Sequence, residues 1–148
     1  MELPRDFSEL LESFNDAGVE YLLVGGYALA HFGAPRFTGD MDLFVRPTAE
    51  NARRVLAALD RFGFGGLGLA VDDFTDPDQV VQLGVPPVRV DLLTGLSGTT
   101  WELAYDGSET SDYDGVLVRV ISKSAFIANK RAKSRPRDLA DLESIGED

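Results

Sequence analysis

The chain has 148 residues, of which 44% are hydrophobic and 26% charged, and a chain of this size is expected to form one domain over residues 1–148. It contains no cysteine, which excludes a disulfide framework, a thiolate metal site and a cysteine nucleophile. The 14 basic and 25 acidic residues give a net charge of −11, which argues against non-specific binding to DNA. A charged N-terminus and the lack of a long apolar run predict a cytoplasmic protein that does not bind membranes.

Helices and short strands are predicted to alternate along the first half of the chain. Apolar residues at i, i+3, i+4 and i+7 indicate the first helix, and a strand leads straight into Gly25 and Gly26. In chain order, we expect a helix over 6–17, a strand over 20–24, a helix over 27–32, a strand over 40–45, a helix over 48–62, and a strand with a mobile loop over 63–78.

The second half continues this alternation and ends in helices. Two strands over 80–83 and 88–93 are expected to join through a turn at 84–87, and the segment around Trp101 fits no single type. A strand over 115–121 that comes after an acidic turn, a helix over 123–133 capped by Ser122 and a last helix over 136–145 follow. The order of elements predicts an α/β or α+β fold, with one mixed sheet and helices packed on it.

Two aspartates at alternate positions of a predicted strand carry the strongest chemical signal. Asp40 and Asp42 share one face of that strand, while Met41 and Leu43 point into the core. The two carboxylates lie about 7 Å apart and repel by roughly 2.4 kcal/mol at an effective dielectric of 20, so a bound cation is needed to offset the cost. Oxygens at this spacing suit a hard ion, Mg²⁺ or Mn²⁺.

A third acid, Asp91, lies in the middle of another apolar strand, where a carboxylate is costly unless it is paired or bound to metal. If that strand lies beside the strand of Asp40 and Asp42, the spacing of about 4.8 Å brings the three acids together. Three carboxylates are enough to hold two metal ions roughly 3.5–4 Å apart, as in enzymes of phosphoryl transfer.

The two glycines after the first strand offer a place for phosphate. Gly25 and Gly26 stand between a strand and a helix start, where backbone N–H groups can approach an anion closely. An ordinary tight turn is the alternative interpretation.

Together these residues resemble the polymerase-beta type of nucleotidyltransferase. The signature of that superfamily is an apolar residue, Gly, then Gly or Ser, later Asp-apolar-Asp-apolar, and a third acid on a further strand. Here it reads Val24-Gly25-Gly26, then Asp40-Met41-Asp42-Leu43, then Asp91. Small stand-alone bacterial members are similar around 25–31, Arg36 and Thr38, and again over 121–142.

The resemblance implies a nucleotidyltransferase-like fold and transfer of a nucleoside monophosphate, with ATP as the expected nucleotide and Mg²⁺ or Mn²⁺ as cofactor. Asp40 and Asp42 would bind both metals, and Asp91 would bind the metal that activates an acceptor hydroxyl. The acceptor is left open among a protein, an RNA end and a small molecule, brought by a partner protein or a second subunit. Stand-alone members often belong to toxin–antitoxin or defence pairs, and the resemblance extends that expectation to this chain.

Several other residues have two interpretations. Arg36 and Thr38 either contact the triphosphate or fix the loop before the aspartates. Lys130 either contacts the triphosphate or acceptor, or belongs to a solvated helix face. It lies in a basic cluster near the end of the chain, formed by Lys123, Lys130, Arg131, Lys133, Arg135 and Arg137. His31 and Trp101 are expected to pack rather than to react.

The sequence leaves two alternative functions open. Many transferases of this superfamily have Ser where this chain has Gly26, so a non-catalytic nucleotide-binding or interaction module with the same fold is the first alternative. A nucleotide-sugar transferase with an Asp-x-Asp metal site is the second, and the chain leaves little room for its acceptor domain. The Gly-x-Gly-x-x-Gly pattern at 63–68 follows a predicted helix rather than a strand, which is the wrong context for dinucleotide binding.

Overall fold

A six-stranded mixed sheet with helices packed on it forms the framework, as the sequence predicts. The computed structural model describes residues 5–34, 39–64, 67–85 and 88–147. The strands are β1 (Tyr21–Val24), β2 (Asp40–Val45), β3 (Val80–Val85), β4 (Val88–Leu93), β5 (Glu109–Tyr113) and β6 (Val116–Val120). The helices are α1 (Arg5–Ala17), α2 (Gly25–His31), α3 (Ala49–Leu59), α4 (Trp101–Tyr105), α5 (Lys123–Lys133) and α6 (Pro136–Ser144).

The order of the strands is β3-β4-β2-β1-β6-β5. β2 runs parallel to β4, whereas β1 runs antiparallel to β2, so the end of β1 meets the first half of β2. Val24 is therefore the register partner of Asp42. This connection brings the Gly25-Gly26 turn beside the predicted aspartate pair.

The core lies between the sheet and the amphipathic helices. The apolar stripe of α1 is buried as predicted, with Phe7, Leu10, Leu11 and Phe14 all inside. α1 also packs against α3. Burial of each large apolar side chain contributes about 1.5–3 kcal/mol, so these two helices hold the sheet firmly behind the candidate site.

Polar side chains cap the starts of α3 and α5. Ser122 accepts a hydrogen bond from the backbone N–H of Ala125 at 3.2 Å, which confirms the predicted start of α5. Thr48 accepts one from the N–H of Asn51 at 3.2 Å at the start of α3. Caps of this kind satisfy backbone donors that a helix leaves free.

Two predictions of secondary structure were wrong. The described residues within 63–78 form no strand; they contain the end of a helical turn at Asp60–Phe64 and a short 3₁₀ turn at Val71–Phe74. In the second turn, the Asp73 carboxylate accepts a hydrogen bond from the N–H of Ala70 at 2.7 Å, so aspartates that discourage a strand stabilise the turn. The predicted acidic turn before β6 is instead the edge strand β5, since a hairpin through Asp114 pairs it with β6.

The segment around Trp101 folds as the short helix α4, and Trp101 is 6% exposed, which confirms its predicted place in the core. Pro86 and Pro87 of the predicted turn lie outside the described residues. Within the described part of the chain, the helices are too short or too polar to cross a membrane.

Candidate active site

The three predicted aspartates lie on one face of two neighbouring strands. β2 and β4 pair in parallel, so Asp42 is the register partner of Asp91, and Asp40 is the partner of Arg89. Met41 and Leu43 point to the opposite face and are fully buried. The predicted neighbourhood of the two strands, and the alternation along β2, are therefore confirmed.

Gly25 lies directly against Asp42. Its φ is +67°, which L side chains rarely adopt, and a Cβ at this position would overlap Asp42 Oδ2. Glycine is thus required at the end of β1 for two reasons, the backbone conformation and the close approach of the carboxylate. Gly25 and Gly26 line the same cavity as the aspartates, and contact with phosphate through their backbone stays a prediction.

Arg89 is a residue of this site that the sequence motifs did not single out. Its Nη2 donates a hydrogen bond to Asp40 Oδ2 at 2.7 Å, and its Nε lies 3.6 Å from Asp91 Oδ1. The signal was available in the sequence, because Arg89 stands two positions before Asp91 and alternation along β4 puts both on one face.

Burial and mutual repulsion change the acidity of the aspartates. Burial, followed by the negative charges of Asp91 and Asp40, raises the pKa of Asp42 to about 6. Burial also raises the pKa of Asp91, while the nearby charge of Arg89 opposes that rise. The site therefore disfavours negative charge on both side chains, and a cation would restore it.

Basic side chains of α5, α6 and the turn between them line the same cavity as the aspartates, which has a volume of about 520 Å³. We call them the cationic wall: Lys130, Lys133, Arg135 and Arg137. The positive charge of Lys133 acts on Asp42 and opposes the rise in the pKa of that carboxyl. Burial, then the charges of Arg135 and Lys130, lower the pKa of Lys133 itself, so an anion beside Lys133 would be stabilised.

Lys130, the wall residue singled out in the sequence, is buried and held by two carboxylates. Its Nζ lies 3.0 Å from Asp141 Oδ2 and 3.5 Å from Asp138 Oδ1. Arg135 Nε lies 2.6 Å from Asp138 Oδ2. These ion pairs fix the corner between α5 and α6. Within the described residues, the wall cations Lys133 and Arg137 form no salt bridge.

The donor set fits a divalent cation, although the side chains are not gathered into a chelate. No group of three His, Cys, Asp or Glu residues in the described ranges is arranged to hold a metal ion as it stands. Asp91 Oδ1, however, is buried without a hydrogen-bond partner, which is a costly state for a carboxylate oxygen. Three carboxylates with one unsatisfied oxygen are the ligand chemistry that Mg²⁺ and Mn²⁺ prefer.

The remaining candidates from the sequence are Arg36, Thr38 and His31. Arg36 and Thr38 lie outside the described residues. His31 Nε2 lies 3.6 Å from Glu109 Oε2, and its ring packs edge-on against Phe32 with centroids 5.2 Å apart. These contacts are those of the packing role that was predicted for His31.

A mixed sheet with adjacent aspartates, a glycine turn and a cationic wall defines the nucleotidyltransferase class, and comparison with known proteins agrees. Residues 4–148 match the family described as "Nucleotidyl transferase of unknown function (DUF2204)". The chain belongs to that family. No curated protein has a significantly similar sequence.

Solved structures share the fold at low sequence identity. The antibiotic-resistance factor ANT(2'')-Ia aligns over 95% of this chain and 78% of its own, with 15% identity and a TM-score of 0.59. The lincosamide antibiotic adenylyltransferase LnuA aligns over 97% and 96%, with 13% identity and a TM-score of 0.57. An antigenic nucleotidyltransferase-like protein from Paracoccidioides brasiliensis aligns over 93% and 71%, with 18% identity and a TM-score of 0.57.

Proposed function

We propose that the protein is a metal-dependent nucleotidyltransferase, which transfers a nucleoside monophosphate from a nucleoside triphosphate to an acceptor hydroxyl. The observation that carries this proposal is the cavity between the aspartates of β2 and β4 and the cationic wall. One side suits metal ions and the other suits phosphate groups, and a metal–triphosphate complex needs both.

The charge balance of the cavity supports two metal ions. Among the described residues, Arg89 and the four wall cations carry five positive charges. The three sheet aspartates, with Asp138 and Asp141 behind the wall, carry five negative charges. A triphosphate adds about four negative charges, and two divalent ions would balance them.

Each side of the cavity has its own task in the proposed reaction. Asp40 and Asp42 would hold the metal ions, and Asp91 would hold the one that activates the acceptor hydroxyl. Gly25 and Gly26 offer backbone N–H groups to the β- and γ-phosphates, and Lys133 with Arg137 neutralises their charge. Lys130 serves mainly to fix the wall, through its ion pairs with Asp138 and Asp141.

The acceptor oxygen forms a bond to the α-phosphorus as the bond from that phosphorus to the bridging oxygen of pyrophosphate breaks. In this reaction Asp91 would accept the proton of the acceptor hydroxyl as general base. Bound Mg²⁺ or Mn²⁺ would supply the Lewis-acid stabilisation of the attacking and leaving oxygens. Pyrophosphate leaves along the wall side, where Lys133 and Arg137 face it.

The acceptor class is the open part of this proposal. LnuA is described with lincomycin bound, and ANT(2'')-Ia with adenylyl-2''-tobramycin, so a small hydroxylated molecule is one candidate. Proteins and RNA ends are the others, and a toxin–antitoxin or defence pair stays a prediction of the sequence.

Incubation of the protein with α-labelled nucleoside triphosphates and Mg²⁺ tests the function. The acceptors offered are an aminoglycoside, a lincosamide, total RNA and cell lysate, with Asp42→Asn as the control. Label on an acceptor, lost in the control, supports the enzyme. Tight triphosphate binding without transfer supports the non-catalytic module, which the serine-free Gly26 position favours.

A further inference from the structure

Arg89 contacts two of the carboxylates that we propose to bind metal. Nη2 donates to Asp40 Oδ2 at 2.7 Å, while Nε lies 3.6 Å from Asp91 Oδ1. The Arg89 side chain is 31% exposed and that of Asp91 is 14% exposed. The guanidinium therefore lies at the mouth of the acid cluster, where it is partly shielded from water.

The two contacts of Arg89 differ in quality. The pair with Asp40 has the length of a strong charge-assisted hydrogen bond, which is about 2.7–2.9 Å. The approach to Asp91 is too long, and within the described ranges Arg89 Nε and Asp91 Oδ1 are the two buried side-chain polar atoms without a hydrogen-bond partner. Arg89 is thus committed to Asp40, while Asp91 keeps one oxygen available for another ligand.

We propose that Arg89 is a built-in competitor for divalent cations at Asp40, an inference that rests on the proposed metal site. A metal ion held through Asp40 Oδ2 would compete with the guanidinium for that oxygen and would add positive charge beside it. Metal binding therefore requires Arg89 to release Asp40, and the apparent metal affinity is lower than the three aspartates alone would give.

The competition couples metal binding to nucleotide binding. Arg89 lines the same cavity as Lys133 and Arg137, so a released guanidinium remains where phosphate groups would lie. A triphosphate then offers the anionic partner that Arg89 loses at Asp40. By linkage, each ligand raises the affinity of the site for the other, and metal without nucleotide binds weakly.

Titration with Mn²⁺ alone, read by the electron paramagnetic resonance of the free ion, tests this role without any turnover. Arg89→Gln removes the competitor and is expected to bind Mn²⁺ on the order of tenfold more tightly. Arg46→Gln is the matched control: Arg46 pairs with Glu20 at 3.1 Å beyond the other end of β2. It loses the same charge and should stay within about twofold of the wild type.

Two further measurements keep the result interpretable. Thermal unfolding in chelator shows whether Arg89→Gln is folded, and Arg89→Lys, which keeps the charge but loses the planar fork, replaces it if it is not. Arg89→Lys is expected to bind Mn²⁺ with intermediate affinity. A non-hydrolysable triphosphate should raise the Mn²⁺ affinity of the wild type more than that of Arg89→Gln.

Three outcomes separate this inference from the proposed function. Unchanged or weaker Mn²⁺ binding in Arg89→Gln, with clear binding in the wild type, would show that Arg89 only positions Asp40 and overturns the competitor role. Equal gains in Arg89→Gln and Arg46→Gln also overturn it, since general charge would then suffice. Binding to neither the wild type nor Arg89→Gln overturns the metal site itself.

Discussion

Asp42 of β2 and Asp91 of β4 are register partners in a parallel pair of strands, so two partly buried carboxylates stand side by side on one face of the sheet. Repulsion between them adds to the cost of burial, and the two effects raise the pKa of Asp42 to about 6. Two such carboxylates are tolerated side by side when a positive charge nearby offsets their repulsion. Substitutions that remove one of these charges should therefore change both the activity and the free energy of unfolding.

Asp42→Asn is expected to abolish metal-dependent transfer of label while the protein remains folded. Loss of one ligand oxygen and its charge should lower kcat by at least about a thousandfold. In chelator at pH 8, the same change should raise the free energy of unfolding by on the order of 2 kcal/mol, because the repelling charge is gone. Asp16→Asn, at an exposed position of α1, is the control, and full activity of Asp42→Asn contradicts the assignment.

Stability in chelator should fall as the pH rises from about 4 to about 6. Asp42 has an ordinary pKa of 3.8 in the unfolded chain and about 6 in the folded protein, so the folded state binds the extra proton within this window. The unfolded chain has already lost this proton, so a rise in pH favours the unfolded state and lowers the free energy of unfolding. Urea unfolding at a series of pH values measures the slope, which Asp42→Asn should reduce; equal slopes for the two proteins would refute the interpretation.

The aspartates of this site could be predicted from the sequence, because they lie at alternate positions of strands. β2 has the predicted bounds, and Asp91 lies beside Asp42, because buried and polar positions in a strand follow a period of two. The same rule would have placed Arg89 beside Asp91. Its pairing with Asp40, by contrast, depends on which strand is the neighbour.

Contacts across the chain could not be predicted. The helical pattern of α5 marks Lys130 as a candidate, but the ion pairs of Lys130 with Asp138 and Asp141 depend on the turn between α5 and α6. The edge strand β5 has a polar sequence and needs only the backbone of β6 as a partner, so hydrophobic periodicity gives no signal for it.

Gly25→Ala is expected to impair the site more than the backbone strain alone explains. A left-handed alanine costs about 1–2 kcal/mol, and the new Cβ also has to displace the Asp42 carboxylate. Gly68→Ala is a matched control, since Gly68 has a φ of +73° and open space around it. Gly25→Ala should lose at least as much stability as Gly68→Ala, and Gly25→Ala alone should lose Mn²⁺ binding; equal Mn²⁺ binding in both contradicts the role of the close approach.

Lys133→Gln should weaken triphosphate binding with a smaller effect on the chemical step. Lys133 lines the cavity and is the wall cation whose charge acts on Asp42. We expect KM for the triphosphate to rise about tenfold, measured with label transfer at saturating acceptor. Lys123→Gln, on the same helix but paired with Glu147 at 3.8 Å, should leave KM unchanged, and equal effects of both changes would exclude a specific phosphate contact.

Asp138→Asn should destabilise the protein and move the cationic wall. The Asp138 side chain is 0% exposed and accepts hydrogen bonds from Arg135 Nε at 2.6 Å and Nη2 at 3.1 Å, beside Lys130. Removing its charge leaves the buried Lys130 paired with Asp141 but no longer with a charged Asp138, which should cost about 3 kcal/mol of unfolding free energy at pH 7. Glu143→Gln, at an exposed position of α6, should change stability little.

The pH dependence of this loss distinguishes the ion pair from simple packing. Hydrogen bonds from Arg135 hold the pKa of Asp138 well below its ordinary value of 3.8. Its stabilising effect is therefore complete above that value and is lost as the pH falls through the lower pKa of the folded protein. The difference between the wild type and Asp138→Asn should shrink accordingly below pH ~4 in urea unfolding, whereas a difference independent of pH would assign the loss to packing.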